Sequence, residues 1–195
     1  EVKREWLLQQ DHLILLSGAH QGDVGQALLA GSIEQAWEWA QQWQAHYPNR
    51  YYVELQRAGF ADEERYIQAA LSLAGDLRLP VVATHPIQFA EPEDFRAHEV
   101  RVCIAEGEQL ANPRRARKFT AEQYFVSSEH MQQRFADIPS ALINTGEIAK
   151  RCTVELKLGV PHLPEFPTPE GMTLGDFLTH EAEKGLEIRL EQLYS

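Results

Sequence analysis

Short aliphatic segments alternating with longer helical patterns constrain this chain more than any other feature. Leu13–Ser17 (LILLS), Tyr51–Leu55 (YYVEL) and Pro80–Thr84 (PVVAT) have the length and the β-branched or aromatic content of buried strands. Between the first two, Ile33, Ala36, Trp37, Ala40 and Trp43 recur at three- and four-residue intervals behind Ser32, a residue type suited to an N-cap. Tyr66, Ala69, Ala70, Leu73 and Leu77 do the same behind Asp62. Strand, helix, strand, helix, strand with short connections implies parallel pairing, because the helix provides the crossover. An α/β fold with helices on the outer face is expected. Three parallel strands cannot close a barrel and leave an edge on each side, so the sheet reads as incomplete, with further strands expected upstream of Glu1.

The second half is more helical. EPEDFRAHEVRVCIAEG opens on acidic residues and stops at Gly107, with Phe95, His98 and Val102 on one face. SSEHMQQRF and IPSALINTGEIAKRC supply two more helices, the second tolerating Pro139 in its first turn. VPHLPEFPTPEGM then holds four prolines in thirteen residues and reads as a linker, since each proline removes a backbone donor. The expected organisation is one domain over residues 1–160, a linker over 161–172 and the first helix of a further region over 173–195.

The 29 acidic residues outweigh 18 basic ones, and a net charge of −11 argues against a bulk surface that holds a polyanion. The exception is Arg114, Arg115, Arg117 and Lys118, read as a solvated loop or, alternatively, as a phosphate contact. Cys103 and Cys152 are too few for a disulfide framework; both read as core thiols of a reducing, cytoplasmic compartment. No apolar run suits a membrane span, and EVKREWLLQQ lacks the apolar core of a signal peptide. With no initiating Met, the sequence is expected to begin inside a larger protein.

Candidate chemistry collects where strands end. His85 follows the third strand, but Pro86 beside it offers no side-chain donor and Gln88 is a poor metal ligand. His20 follows the first strand with Asp23 three residues on; the pair could hold an ion, or the Gly18–Asp23 stretch could simply turn the chain into the next helix. His98 reads as a hydrogen-bonded core histidine. His12, His46, His130, His162 and His180 sit in polar helix ends or loops and carry no assigned chemistry. Glu54 and Arg57 flank a strand end and read as a structural ion pair. No phosphate loop, Cys-x-x-Cys pair or nucleophile elbow is present.

The blocks LILLSGAHQGDVGQALLAG, YYVELQRAG, LPVVATHPIQFAEPEDFRAHEVRVCIAEG, RFADIPSALINTGEIAKRC and LPEFPTPEGM, in this order, resemble the polymerase-and-histidinol-phosphatase (PHP) domain in the catalytic alpha subunits of bacterial family C replicative polymerases, proteobacterial type. The similarity runs over essentially the whole chain. It implies part of a distorted β/α barrel whose metal ligands sit at strand carboxyl ends, the amino-terminal strands lying outside the chain. Three of the family's ligand positions fall here, on Ala19, Pro86 and Gln88, and none supplies a thiolate, carboxylate or imidazole. The resemblance implies no cofactor and no catalytic residue in this chain, with Mg²⁺ expected only at the polymerase site of the parent. It implies a metal-free structural module that packs on the polymerase core and docks the proofreading exonuclease subunit within the holoenzyme. DNA would be held by other domains, and no membrane is involved. The alternative is an active metal-dependent phosphoesterase or exonuclease using His20, Asp23 and His85.

Overall fold

A computed structural model describes residues 3–161 and 166–194. The described chain divides into two compact units, Glu1–Thr153 and Val154–Ser195.

In the first unit α1 (Arg4–Leu8) leads to β1 (Leu15–Leu16), a 3-10 turn (Ala19–Gln21), α2 (Asp23–Leu29), α3 (Ile33–His46), β2 (Tyr51–Gln56), α4 (Glu63–Leu77) and β3 (Val81–Thr84). Then come a second 3-10 turn (Pro92–Asp94), α5 (Phe95–Glu106), α6 (Ser128–Arg134) and α7 (Pro139–Arg151). The sheet has the order β1-β2-β3 and is parallel throughout, with Leu15 beside Tyr51 and Val53 beside Val81. That is the arrangement the strand and helix alternation requires. β1 is shorter than the aliphatic segment that marks it. Tyr51 to Leu55 are all buried, as a central parallel strand covered on both faces must be.

The helices bury the expected stripes. Ala36, Ala40 and Trp43 of α3 and Tyr66, Ala70 and Leu73 of α4 join one core with Val53, Leu55 and Phe135, while Ile33 at the start of α3 stays half exposed. Ser32 and Asp62 occupy the N-cap positions of α3 and α4, but neither side chain caps its helix. Asp62 pairs with Arg65 at 3.2 Å instead. The neighbouring Glu63 is buried and accepts from the backbone N–H groups of Ala58 and Gly59, satisfying the turn between β2 and α4.

One sheet edge differs from expectation. Backbone carbonyls alternate in direction along a strand, and Pro80 directs its carbonyl to the Val53 N–H of β2. The carbonyls of Val81 and Ala83 therefore face away from β2. They accept from Asn144 Nδ2 and Thr145 Oγ1 of α7, both at 2.7 Å. The outer edge of β3 is capped by side chains rather than open.

Cys103 is buried in α5, whereas Cys152 is exposed just past α7, so only one of the two is a core thiol. In the second unit α8 (Leu174–Tyr194) begins at Thr173, whose hydroxyl accepts from the Asp176 N–H, and it buries no residue. His162 and residues 163–165 of the proline-rich segment lie outside the described residues. No described helix is long and apolar enough to cross a membrane.

Candidate functional site at the strand carboxyl ends

Ala19 sits in a turn built from close backbone contacts. Gly18 takes a left-handed φ of 78° and its carbonyl accepts from the Gln21 and Gly22 N–H groups. A Cβ on Gly22 would lie 1.7 Å from the Ser17 carbonyl oxygen, and one on Gly25 would lie 1.9 Å from that of Ala19. The turn therefore fits only with glycine at both places, and it delivers a fully buried methyl group at Ala19.

The second loop is equally fixed. Pro86 gives its carbonyl to Gln123 Nε2 at 3.0 Å, and the Gln88 N–H donates to the Gln123 carbonyl at 2.8 Å. Gln123 is buried, and its Oε1 accepts from the Thr120 N–H. No pattern in the sequence marks this residue, because Pro86 and Gln88, the partners it ties down, lie far off along the chain.

Glu54 ties the three strand ends together. Its carboxylate accepts from the Gly18 N–H at 3.1 Å, from Gln56 Nε2 at 3.0 Å and from the Thr84 hydroxyl, while its N–H donates to Ser17 Oγ. The sequence pairs it with Arg57, but the structure does not. Arg57 instead forks onto Glu64 and Asp137, donates to the Arg134 carbonyl and lies over the Phe135 ring. A carboxylate inside an apolar strand was the available signal for Glu54's role.

Between these elements lies a cavity of about 270 Å³ lined chiefly by Gly18, Gln21, Gln56, Pro86, Gln88 and Gln123. Phe60, Phe119 and Lys118 complete it, and Lys118 pairs with Glu106. The lining has no carboxylate, imidazole or thiol among the described residues. Amides can donate and accept hydrogen bonds, but they neither ionise near neutrality nor compete as ligands for a transition metal.

The remaining candidates are placed separately. Asp23 opens α2; one oxygen accepts from the Val24 N–H at 2.7 Å and the other from Trp43 Nε1 at 2.9 Å, so its carboxylate serves the packing of α2 on α3. His20 packs on Phe60 with ring centroids 4.7 Å apart. His85 shares Nε2 with the Tyr124 carbonyl at 3.0 Å, and burial, aided by the Arg134 guanidinium, holds its pKa below the ordinary value. Nδ1 of both histidines is buried without a partner. Among the described residues, no group of three or more His, Cys, Asp or Glu side chains could hold a metal ion. His98 is buried between Phe89 and Phe119, but its Nε2 has no hydrogen-bond partner, so aromatic packing rather than a satisfied polar pair explains its place. In the basic loop, Arg115 pairs with Glu99 and Lys118 with Glu106, which neutralises much of the cluster.

Comparison with known proteins extends the picture. The PHP domain model matches residues 1–58. DNA polymerase III subunit alpha of Neisseria meningitidis is 48% identical over 197 residues, covering all of this chain and 17% of that protein. The Escherichia coli and Pseudomonas aeruginosa subunits are 47% and 45% identical, over 99% and 98% of the chain. The chain is homologous to a segment of the DNA polymerase III alpha subunits. It spans only 16–17% of the length of these relatives. Pro86 and Gln88 line the amide cavity and Ala19 does not, and none of the three side chains offers a thiolate, carboxylate or imidazole. A methyl group and a pyrrolidine ring have no donor atom, and the Pro86 carbonyl is already taken by Gln123.

Proposed function

We propose that this chain is the PHP region of a replicative DNA polymerase alpha subunit, working in the cytoplasm as a metal-free structural module. In this reading residues 1–160 form part of a β/α barrel that supports the polymerase core and docks the proofreading exonuclease. Residues 173–195 begin the polymerase region, whose own chemistry would use Mg²⁺. The support is the donor chemistry at the strand ends: amides and a methyl group stand where ligands belong, and the buried carboxylates of Glu54 and Glu63 are consumed in strapping strands and a turn together. Holding the exonuclease beside the polymerase would raise its effective concentration at a mispaired primer end.

The unpartnered Nδ1 atoms of His20 and His85 favour the second reading, a residual metal-dependent phosphoesterase. Asp23 weakens it, since both its oxygens are engaged. Metal analysis of the full-length alpha subunit after dialysis separates the two. The module reading expects substoichiometric zinc and manganese, and loss of exonuclease co-purification when residues 1–160 are deleted. Stoichiometric metal that disappears with His20→Ala and His85→Ala, or exonuclease binding that survives the deletion, would overturn it.

A further inference from the structure

The opposite pole of the sheet carries a second cavity, of about 340 Å³, at the amino ends of β2 and β3. Arg78 and Arg151 line it together with Asn49, Tyr52 and Pro80, and its lining holds no aspartate or glutamate among the described residues. Every ion pair found in the described chain lies elsewhere. In a chain of net charge −11, two arginines lining one cavity without a carboxylate are conspicuous.

Arg151 is held in place. It donates from Nη1 to the Tyr52 hydroxyl at 2.7 Å and from Nη2 to the Asn49 carbonyl at 3.2 Å, leaving its remaining N–H donors unused. Asn49 (φ 60°) and Arg78 (φ 55°) are two of the three non-glycine residues with a left-handed backbone among the described residues. Arg78 takes this conformation as the C-cap of α4, and asparagine adopts it readily in turns. Helix ends supply a competing explanation for the arginines. α3, α4 and α7 run against the strands, so their carboxyl termini meet at this pole, each carrying about half a negative charge. Arg50, stacked on Tyr47 with its guanidinium 5.6 Å from the ring centre, is a third cation there. The helix ends offset about half of the three guanidinium charges, and Asp76 in the last turn of α4 offsets part of the rest from outside the cavity lining.

We infer that this cavity binds a phosphate group. A phosphate dianion engages both guanidiniums at once through their forked donors, whereas a single carboxylate neutralises only one. The volume is near the lower end for small-ligand sites, which suits a phosphate monoester or one exposed nucleotide phosphate. The site is independent of the carboxyl-end cavity.

Calorimetric titration of the protein with inorganic phosphate tests this. Saturable binding should weaken at least tenfold in Arg151→Ala and in Arg78→Gly, and stay unchanged in Arg117→Ala. Arg78→Gly suits the left-handed backbone, so it removes the charge while keeping or raising the melting temperature. A 5′-phosphorylated oligonucleotide that competes with phosphate, where its unphosphorylated twin does not, identifies a nucleic-acid end as the source. Competition by small phosphate esters alone identifies a soluble ligand. No saturable phosphate binding, binding indifferent to both variants, or binding of a glutamate-rich peptide in place of phosphate would each overturn the inference.

Discussion

Gly22→Ala is the sharpest probe of the turn that carries Ala19. The backbone of Gly22, at φ −72° and ψ 166°, is one that alanine adopts freely. Conformational entropy alone would make the substitution stabilising by about 0.4–1 kcal/mol. Sterics reverse the sign. The added carbon would stand 1.7 Å from the Ser17 carbonyl oxygen, and carbon–oxygen contacts need about 3.3 Å. Ser17 cannot retreat easily, because its N–H donates to Tyr52 and its hydroxyl accepts from Glu54. The turn must move instead, straining the Gly22-to-Gly18 and Gln26-to-Gly22 hydrogen bonds and the Gly18-to-Glu54 bond. Two or three hydrogen bonds at about 1 kcal/mol each, plus the strain of overpacking, give a loss of about 3–5 kcal/mol. Thermal unfolding followed by circular dichroism should show a melting temperature lower by about 6–20 °C. Gly146→Ala is the control. Gly146 lies inside α7 with nothing within 4 Å of a new methyl group, and alanine there should stabilise by about 0.5–1 kcal/mol. If Gly22→Ala is as stable as the parent, the turn is not the rigid fit described and Ala19 is not held by backbone contact.

Two further outcomes follow from the packing. His85 and His98 both have pKa values pushed below 6.5, in each case chiefly by burial, so the unfolded chain takes up protons that the folded chain refuses. Stability should be flat above pH 6.5 and fall as pH drops from there towards the folded values; His98→Phe should make that fall shallower in melting curves, and an unchanged slope would count against the assignment. Arg57→Lys should lose most of what Arg57→Ala loses, about 1–3 kcal/mol in urea denaturation, because lysine cannot fork onto Glu64 and Asp137 together; near-parental stability of the lysine variant would refute this.

The parallel sheet and its helices were legible because burial writes periodicity directly into the sequence: Tyr51–Leu55 and the Ala36–Ala40–Trp43 stripe needed nothing more. That Ala19, Pro86 and Gln88 bring no thiolate, carboxylate or imidazole was legible too, from residue identity alone. Long-range polar pairing was not. Gln123, Thr145 and Arg57 find partners 37, 62 and 80 residues away, and no local pattern announces such contacts. Glu54 was noticed but matched with the wrong partner, since neighbours in sequence along a strand need not face each other. Ser32 and Asp62 show the limit of residue-type reasoning at helix starts. Their positions are right while their side chains do other work or none.

The side-chain caps on Val81 and Ala83 give the sheet a polarity of growth. A strand arriving beside β3 would first have to dislodge Asn144 and Thr145, whereas β1 has no strand on its far side among the described residues. Any polypeptide that extends this sheet is steered to the β1 flank, and α7 doubles as a stopper that keeps stray strands from annealing to the other.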